Sequence, residues 1–267
     1  MKKLITSLFI AVIAITSCSK NDETPVDPNT TMVILPKRTV TTSSSGTVGE
    51  VLLSYNGNKL ATITTPSAKT FYTYSNDLIV KTESFDGTVL KNDAVYSYEN
   101  DKVKTVIYRE ISTSTTFTNK YVYTYISGTS IKEERYKINA DGSETKLTDV
   151  KMLTYLNGNL IKTVEEKSST QFNGTIDIPT TNKYTNDYEY DNKNYVLKNC
   201  VGFNKIENRS VNNFTKRVQL SEGTYNNAPN PSTISTDIYE YKYNSDNFPT
   251  ERKRITSSGI STEQYFY

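Results

Sequence analysis

The chain has 267 residues with 31 basic and 29 acidic side chains, and once a cleavable leader carrying Lys2 and Lys3 is set aside the two signs balance. A chain without net charge has no long-range field to draw in a polyanion, which argues against nucleic acid as a partner. There is no His and no Trp, so His-based triads, His metal sites and imidazole acid–base chemistry are excluded, and two Cys cannot make a disulfide framework.

Residues 1–17 open on Lys2-Lys3, continue through an apolar run from Leu4 to Ile15 broken only by Thr6 and Ser7, and end on small residues. That is the build of a secretory signal, too short to anchor by spanning. Ile15-Thr16-Ser17-Cys18 resembles the lipobox of bacterial lipoproteins, which implies lipidation of Cys18 and a membrane partner reached through the acyl chains. Residues 18–36, with Pro25 and Pro28 among polar side chains, read as a flexible tether. The pair Asp22-Glu23 is similar to the surface-export signal of Bacteroidetes lipoproteins, so the expected location is the outer membrane, surface-exposed or facing the periplasm.

From residue 37 onward one phrase recurs: an aromatic or Leu, any residue, Tyr, a short polar turn, then an apolar residue. The second tyrosines are Tyr55, Tyr74, Tyr98, Tyr125, Tyr155, Tyr190 and Tyr243, and Tyr265-Phe266-Tyr267 begins an eighth copy. Side chains alternate across a strand, so each Tyr-x-Tyr pair points to one face. Residues flanking a four-residue hairpin loop share that face, which predicts Tyr55 opposite Leu60, Tyr98 opposite Val103 and Tyr155 opposite Leu160. Asn, Asp and Gly between them suit left-handed turn positions. Repeated hairpins make an all-β antiparallel meander of about 14 strands, and a sheet of that size is expected to be strongly curled or closed into a barrel. The Tyr-rich face is its thin core.

The repeat is interrupted at about 199–236, read as an insertion within a single domain over 37–267 and as the first place to look for a site. Val211, Phe214, Val218 and Leu220 fit one side of a short helix that would plug or cap a barrel end, with a degenerate hairpin as the alternative.

The repeated phrase resembles the Tyr-Asp repeats of the Rhs and teneurin families, whose strands wrap into a shell. Residues 37–267 also resemble a domain of unknown function in Bacteroidetes lipoproteins described as having a porin-like fold. The residues most like it are Tyr188 to Asn194 with Gly202-Phe203-Asn204-Lys205, and Tyr241 to Asn244 with Asn247 to Thr250. The resemblance implies fold and compartment and brings no catalytic residues.

Carboxylate catalysis without His needs two acids at one pocket. Glu133-Glu134 and Glu165-Glu166 place neighbours on opposite faces, and Asp187, Glu189 and Asp191 alternate with tyrosines, which sets them on a solvated outer face. The turns Asn139 to Ser143 and Asn244 to Asn247 gather oxygens but lack a full Ca²⁺ loop pattern, and turn chemistry explains them. Cys200, without a His or a second thiol, reads as a buried small residue. No catalytic residue, metal site or cofactor is therefore expected. Tyr121, Tyr239 and Tyr265 are candidate ligand contacts near an open rim. The expected function is a lipid-anchored, non-catalytic envelope protein that binds or scaffolds an extracellular glycan or peptide. The alternatives are a His-free carbohydrate-active enzyme and a ligand-free shell. A barrel spanning the membrane is least expected, because the strand face opposite Tyr carries Lys, Glu and Thr.

Overall fold

The computed structural model describes residues 33–172, 174–206 and 210–267, so the signal, Cys18 and most of the tether lie outside the described residues. The strands are β1 (Arg38–Thr42), β2 (Val48–Asn56), β3 (Lys59–Thr64), β4 (Lys69–Ser75), β5 (Leu78–Asp86), β6 (Val89–Glu99), β7 (Lys102–Ile111) and β8 (Thr116–Tyr125). They continue with β9 (Ser130–Ile138), β10 (Glu144–Leu156), β11 (Asn159–Phe172), β12 (Asp177–Tyr190), β13 (Phe214–Tyr225), the two-residue β14 (Ala228–Pro229), β15 (Thr233–Tyr243), β16 (Pro249–Thr256) and β17 (Gly259–Phe266). Each long strand pairs antiparallel with its neighbour in sequence, β13 pairs directly with β15, and β1 pairs with both β2 and β17. The meander thus closes into a barrel of 16 long strands, two more than the count expected from the repeat, because β1 and β17 stand outside the seven hairpins.

Tyr55 faces Leu60, Tyr98 faces Val103 and Tyr155 faces Leu160, as the turn lengths predict. Asn100, Asp101 and Asn157 take positive φ in these turns. The register slips just before the second Tyr in every Tyr-x-Tyr hairpin except β8–β9, for instance between Ser54 and Tyr55 and between Lys242 and Tyr243. A bulge at the same level of successive hairpins adds twist and curvature on one side of the sheet, which a closing barrel requires. The β8–β9 turn is one residue longer and pairs Tyr125 with Ile131 without a slip.

The tyrosines face inward, and their hydroxyls tie each hairpin to a neighbour. Tyr98 donates to the Ile79 carbonyl at 2.6 Å, Tyr125 to Val103 at 3.1 Å, Tyr190 to Leu160 at 2.6 Å and Tyr267 to Pro249 at 2.8 Å. In each case the acceptor is the residue that faces the Tyr of the preceding copy.

The described residues 191–206 and 210–213 leave the wall between β12 and β13 and pack into this end of the barrel from inside. Leu197, Cys200, Phe203 and Ile206 are buried against Leu60 and Ile79, both fully buried, and against Leu53, Tyr72 and Tyr74. Burying each such side chain contributes about 1.5–3 kcal/mol. The plug is pinned at both flanks: Asn159 Oδ1 accepts from the Val211 and Asn212 amides at 3.1 Å, and the Val201 amide donates to Asn58 O at 3.0 Å. Gly202 has φ +76°, and a Cβ there would lie 2.7 Å from the Asp77 carbonyl oxygen, so the plug meets the β4–β5 turn only because this residue is Gly.

The expected helix over Val211 to Leu220 is not formed, since Phe214–Tyr225 is strand β13. Phe214 faces Tyr190 in the interior while Val218 and Leu220 sit on the outer side of the wall; their spacing reflects two faces of a strand, not one side of a helix. Accordingly the described residues outside the ladder here are 191–206 and 210–213 instead of 199–236, and Tyr195 belongs to the plug.

Candidate binding site in the barrel lumen

Counting back in steps of two from each inward Tyr fixes which side chains line the lumen above the plug. From Tyr190 the series runs to Tyr188 and Asn186, from Tyr241 to Tyr239 and Asp237, from Tyr155 to Leu153 and Lys151, and from Tyr267 to Tyr265 and Glu263. The first step is Tyr in three of these series and Leu in the fourth, and the next is polar.

The polar layer is rich in charge. Asp237, buried to 5% exposure, receives Arg217 at 2.7 Å and Arg254 at 3.1 Å, both on Oδ2, and the Tyr239 hydroxyl on the same oxygen. Glu263 receives Arg252 and the Tyr265 hydroxyl, each at 2.7 Å. On the other side of the barrel Arg135 pairs with Asp149, and Glu165 pairs with Lys167 at 3.0 Å. Lys151 stands in register between Glu133 on β9 and Glu165 on β11, and among the described residues it has no ion pair within 4.0 Å. Burial holds the Glu133 carboxyl above the usual carboxylate range, against the opposing pull of Lys151.

Three hollows with shared lining residues open onto these side chains. One of about 460 Å³ is lined by Lys151, Glu165, Asn186, Tyr188, Arg217 and Gln219, among others. A second of about 310 Å³ shares Lys151 and includes Tyr121 and Glu133, and a third of about 250 Å³ shares Phe214 with the first and includes Arg252 and Tyr265. The plug lines two of them, through Tyr195, Ser210 and Asn212 in the first and Val196 and Leu197 in the third.

Tyr121, Tyr239 and Tyr265 all face this lumen, but they lie partway down its wall and not at a rim: Tyr239 and Tyr265 are each 8% exposed, with hydroxyls held by Asp237 and Glu263. The acidic residues divide differently from the expectation. Asp187 and Glu189 are on the outer wall, paired with Lys162 and Lys216. Asp191 instead turns in at the base of the plug, where it accepts from the Tyr243 hydroxyl and the Lys193 and Asn213 amides. One member of each Glu-Glu pair also faces inward, which brings Glu133 and Glu165 to opposite sides of Lys151. Asp141 Oδ1 is used by the amide and hydroxyl of Ser143, and Asn244 Oδ1 by the amides of Asp246 and Phe248, so both turns spend their oxygens on themselves. Cys200 is 2% exposed, and burial pushes its thiol pKa up. Lys151, Arg217, Arg252 and Arg254 were not singled out by sequence reasoning; continuing the alternation below each Tyr-x-Tyr and across the strand pair would have found them.

No family model matches the chain, and no curated protein matches it. Among solved structures the chain is similar to a porin-like protein from Bacteroides vulgatus ATCC 8482, at 12% identity and a TM-score of 0.50 over 88% of this chain and 98% of that one. A porin-like protein from Bacteroides uniformis ATCC 8492 aligns at 12% identity with a TM-score of 0.47, over 87% of this chain and 96% of that one. The first likeness supports a porin-like barrel fold.

Proposed function

We propose that the protein is a lipid-anchored, non-catalytic envelope protein that binds an extracellular glycan or peptide inside its barrel. The observation that carries this reading is the combination of a polar, tyrosine-walled lumen with a plug packed into one end of it. Hollows of about 460, 310 and 250 Å³ fall in or near the size range of ligand sites. The chain enters the wall at the plugged end: Ile34 O accepts from Asn199 of the plug at 3.0 Å and Pro36 O from Tyr55 at 2.8 Å. An acylated Cys18 thereby tethers the barrel from its plugged end. Surface display through Asp22-Glu23 is part of the same reading, and proteolytic shaving of intact cells tests it: loss of the protein is expected, and survival contradicts display. Metabolic labelling with a fatty acid tests the anchor, with incorporation lost in Cys18→Ala. Binding is tested by titrating a panel of polysaccharides and peptides against the full chain and its Arg217→Gln variant; no binder across the panel defeats the proposal.

A second reading draws on Glu133 and Glu165, which face one lumen on either side of Lys151 with the Glu133 carboxyl raised by burial, as a two-carboxylate hydrolysis without His would use. Release of reducing sugar that disappears in Glu133→Gln would establish it in place of simple binding.

A further inference from the structure

We infer that the lumen selects carboxylate-bearing sugars, with Arg217 as the residue that reads the carboxylate; this rests on the binding reading above. The first ground is charge. Arg217 and Arg254 both bond the same oxygen of Asp237, so two guanidinium groups share one carboxylate. Asp237 lies behind them at 7% side-chain exposure, while Arg217 and Arg254 are 32% and 45% exposed. The surface presented to the lumen is therefore cationic, and Arg217 carries that character into the 460 Å³ hollow. Across the same hollow stands Lys151, without an ion pair among the described residues, while the acid lining that hollow, Glu165, is engaged by Lys167 at 3.0 Å. Glu133 lies on the far side of Lys151 and lines the neighbouring hollow.

The second ground is the rest of the lining. Gln219, Asn186, Thr163 and Ser210 supply amides and hydroxyls, and Tyr188 supplies an aromatic ring. The Asn186 amide donates to Thr163 Oγ1 at 3.1 Å, but its buried carbonyl oxygen has no partner. Buried polar atoms are normally satisfied, so an acceptor left open in a cavity wall awaits a donor, and a sugar hydroxyl is one. Amides for hydroxyls, aromatic rings such as Tyr188 and Phe214 for a sugar face and a planar guanidinium for a carboxylate together describe a uronic acid, and the peptide arm of the test below separates it from an acidic peptide.

The experiment is calorimetric titration of the full chain with tri-galacturonate and with a glucuronate-containing hyaluronan tetrasaccharide, each beside its carboxyl-reduced form, and with a tetraglutamate peptide. At least one acidic sugar is expected to bind about 10-fold or more tightly than its reduced form, with affinity falling as salt rises. Arg217→Gln is expected to erase that preference, the acidic sugar then binding no more tightly than its reduced form. This variant should fold, because Arg254 still pairs with Asp237, and its thermal melt checks that; Gln219→Ala, outside the ion-pair cluster, should weaken acidic and reduced sugars alike. Equal binding of acidic and reduced sugars, a preference that survives in Arg217→Gln, or tetraglutamate binding as tightly as the sugars overturns the inference and leaves lumen binding standing. Binding of none of these probes overturns the inference as well, while the wider panel decides the binding reading separately.

Discussion

Tyr190 shows how much a single hydroxyl does at the plugged end. It donates to the Leu160 carbonyl at 2.6 Å, Ser210 Oγ lies 2.9 Å from it, and the Leu160 amide donates back to Ser210 at 3.1 Å, so wall and plug are joined in a closed ring of hydrogen bonds. Tyr190→Phe removes two of the three bonds and leaves a half-buried carbonyl short of a donor, which should cost about 2 kcal/mol. In a domain of this size that lowers the melting temperature by roughly 4–8 °C in a thermal scan. The same hydroxyl makes the fold sensitive to alkali. Burial pushes Tyr190 from its ordinary value of 10.0 up to about 12, and burial likewise raises Tyr55, Tyr241 and Tyr265. A raised value favours the protonated phenol in the fold, so this stabilisation is complete below pH 10 and is lost as pH climbs through about 12. Phenolate absorbance and circular dichroism should therefore change together in that window; tyrosines ionising freely below it, with the fold intact, would contradict the burial of these rings. The inward direction of the tyrosines is legible from alternation alone. Their hydroxyl acceptors are not, because each belongs to another hairpin at a sequence distance set by variable loop lengths.

The plug is the element that distinguishes this barrel from a plain repeat, and the repeat itself announces it: the gap from Tyr190 to Tyr243 is the widest between copies. Its limits were harder to read, because the outer wall carries Val218 and Leu220 while the lumen takes Arg217 and Gln219. The usual equation of apolar with buried fails on a strand whose inner face lines a wet cavity, and a helical stripe was the natural misreading. Gly202→Ala tests how the plug is held. Its positive φ and the 2.7 Å approach to Asp77 O leave no room for a methyl group, so the 202–206 turn should lift from the β4–β5 hairpin. Cys200, buried two residues earlier, reports the opening. Alkylation of its thiol should be slow in the native protein and at least about 10-fold faster in Gly202→Ala under conditions where both remain folded. Equal rates would mean that the plug tolerates the side chain and that its seal lies elsewhere.

At the scale of the whole molecule, closure through β1 and β17 removes both sheet edges, and the wall it makes has two polar faces. Closure follows from strand number and is legible; which strands close it is not, since β1 lacks the Tyr-x-Tyr phrase and pairs with β17 only through Arg38 to Thr42. Ending the chain after Thr256 deletes β17 and exposes β1 and β16, so that variant should aggregate, as seen by light scattering during refolding. The outer face bears on where the barrel can reside. Apolar residues such as Val95, Ile107, Ile238 and Ile260 lie there, but so do ion pairs: Lys81 with Glu83, Arg109 with Asp93, Glu134 with Lys132 and Lys146, Lys253 with Glu240. A Lys or Arg facing lipid at mid-bilayer costs about 2–4 kcal/mol, so each of these outward ion pairs opposes placing this wall in a hydrocarbon core. A porin-like fold therefore need not mean a porin-like setting, and the proposed attachment to the membrane is through lipid on Cys18 alone. Cys18→Ala is accordingly expected to move the whole barrel into the detergent-free soluble fraction, folded and with a melting temperature close to that of the same chain with its anchor. Recovery only in detergent, or a variant that still inserts into vesicles, would place the wall in the bilayer and require the outer ion pairs to be buried there.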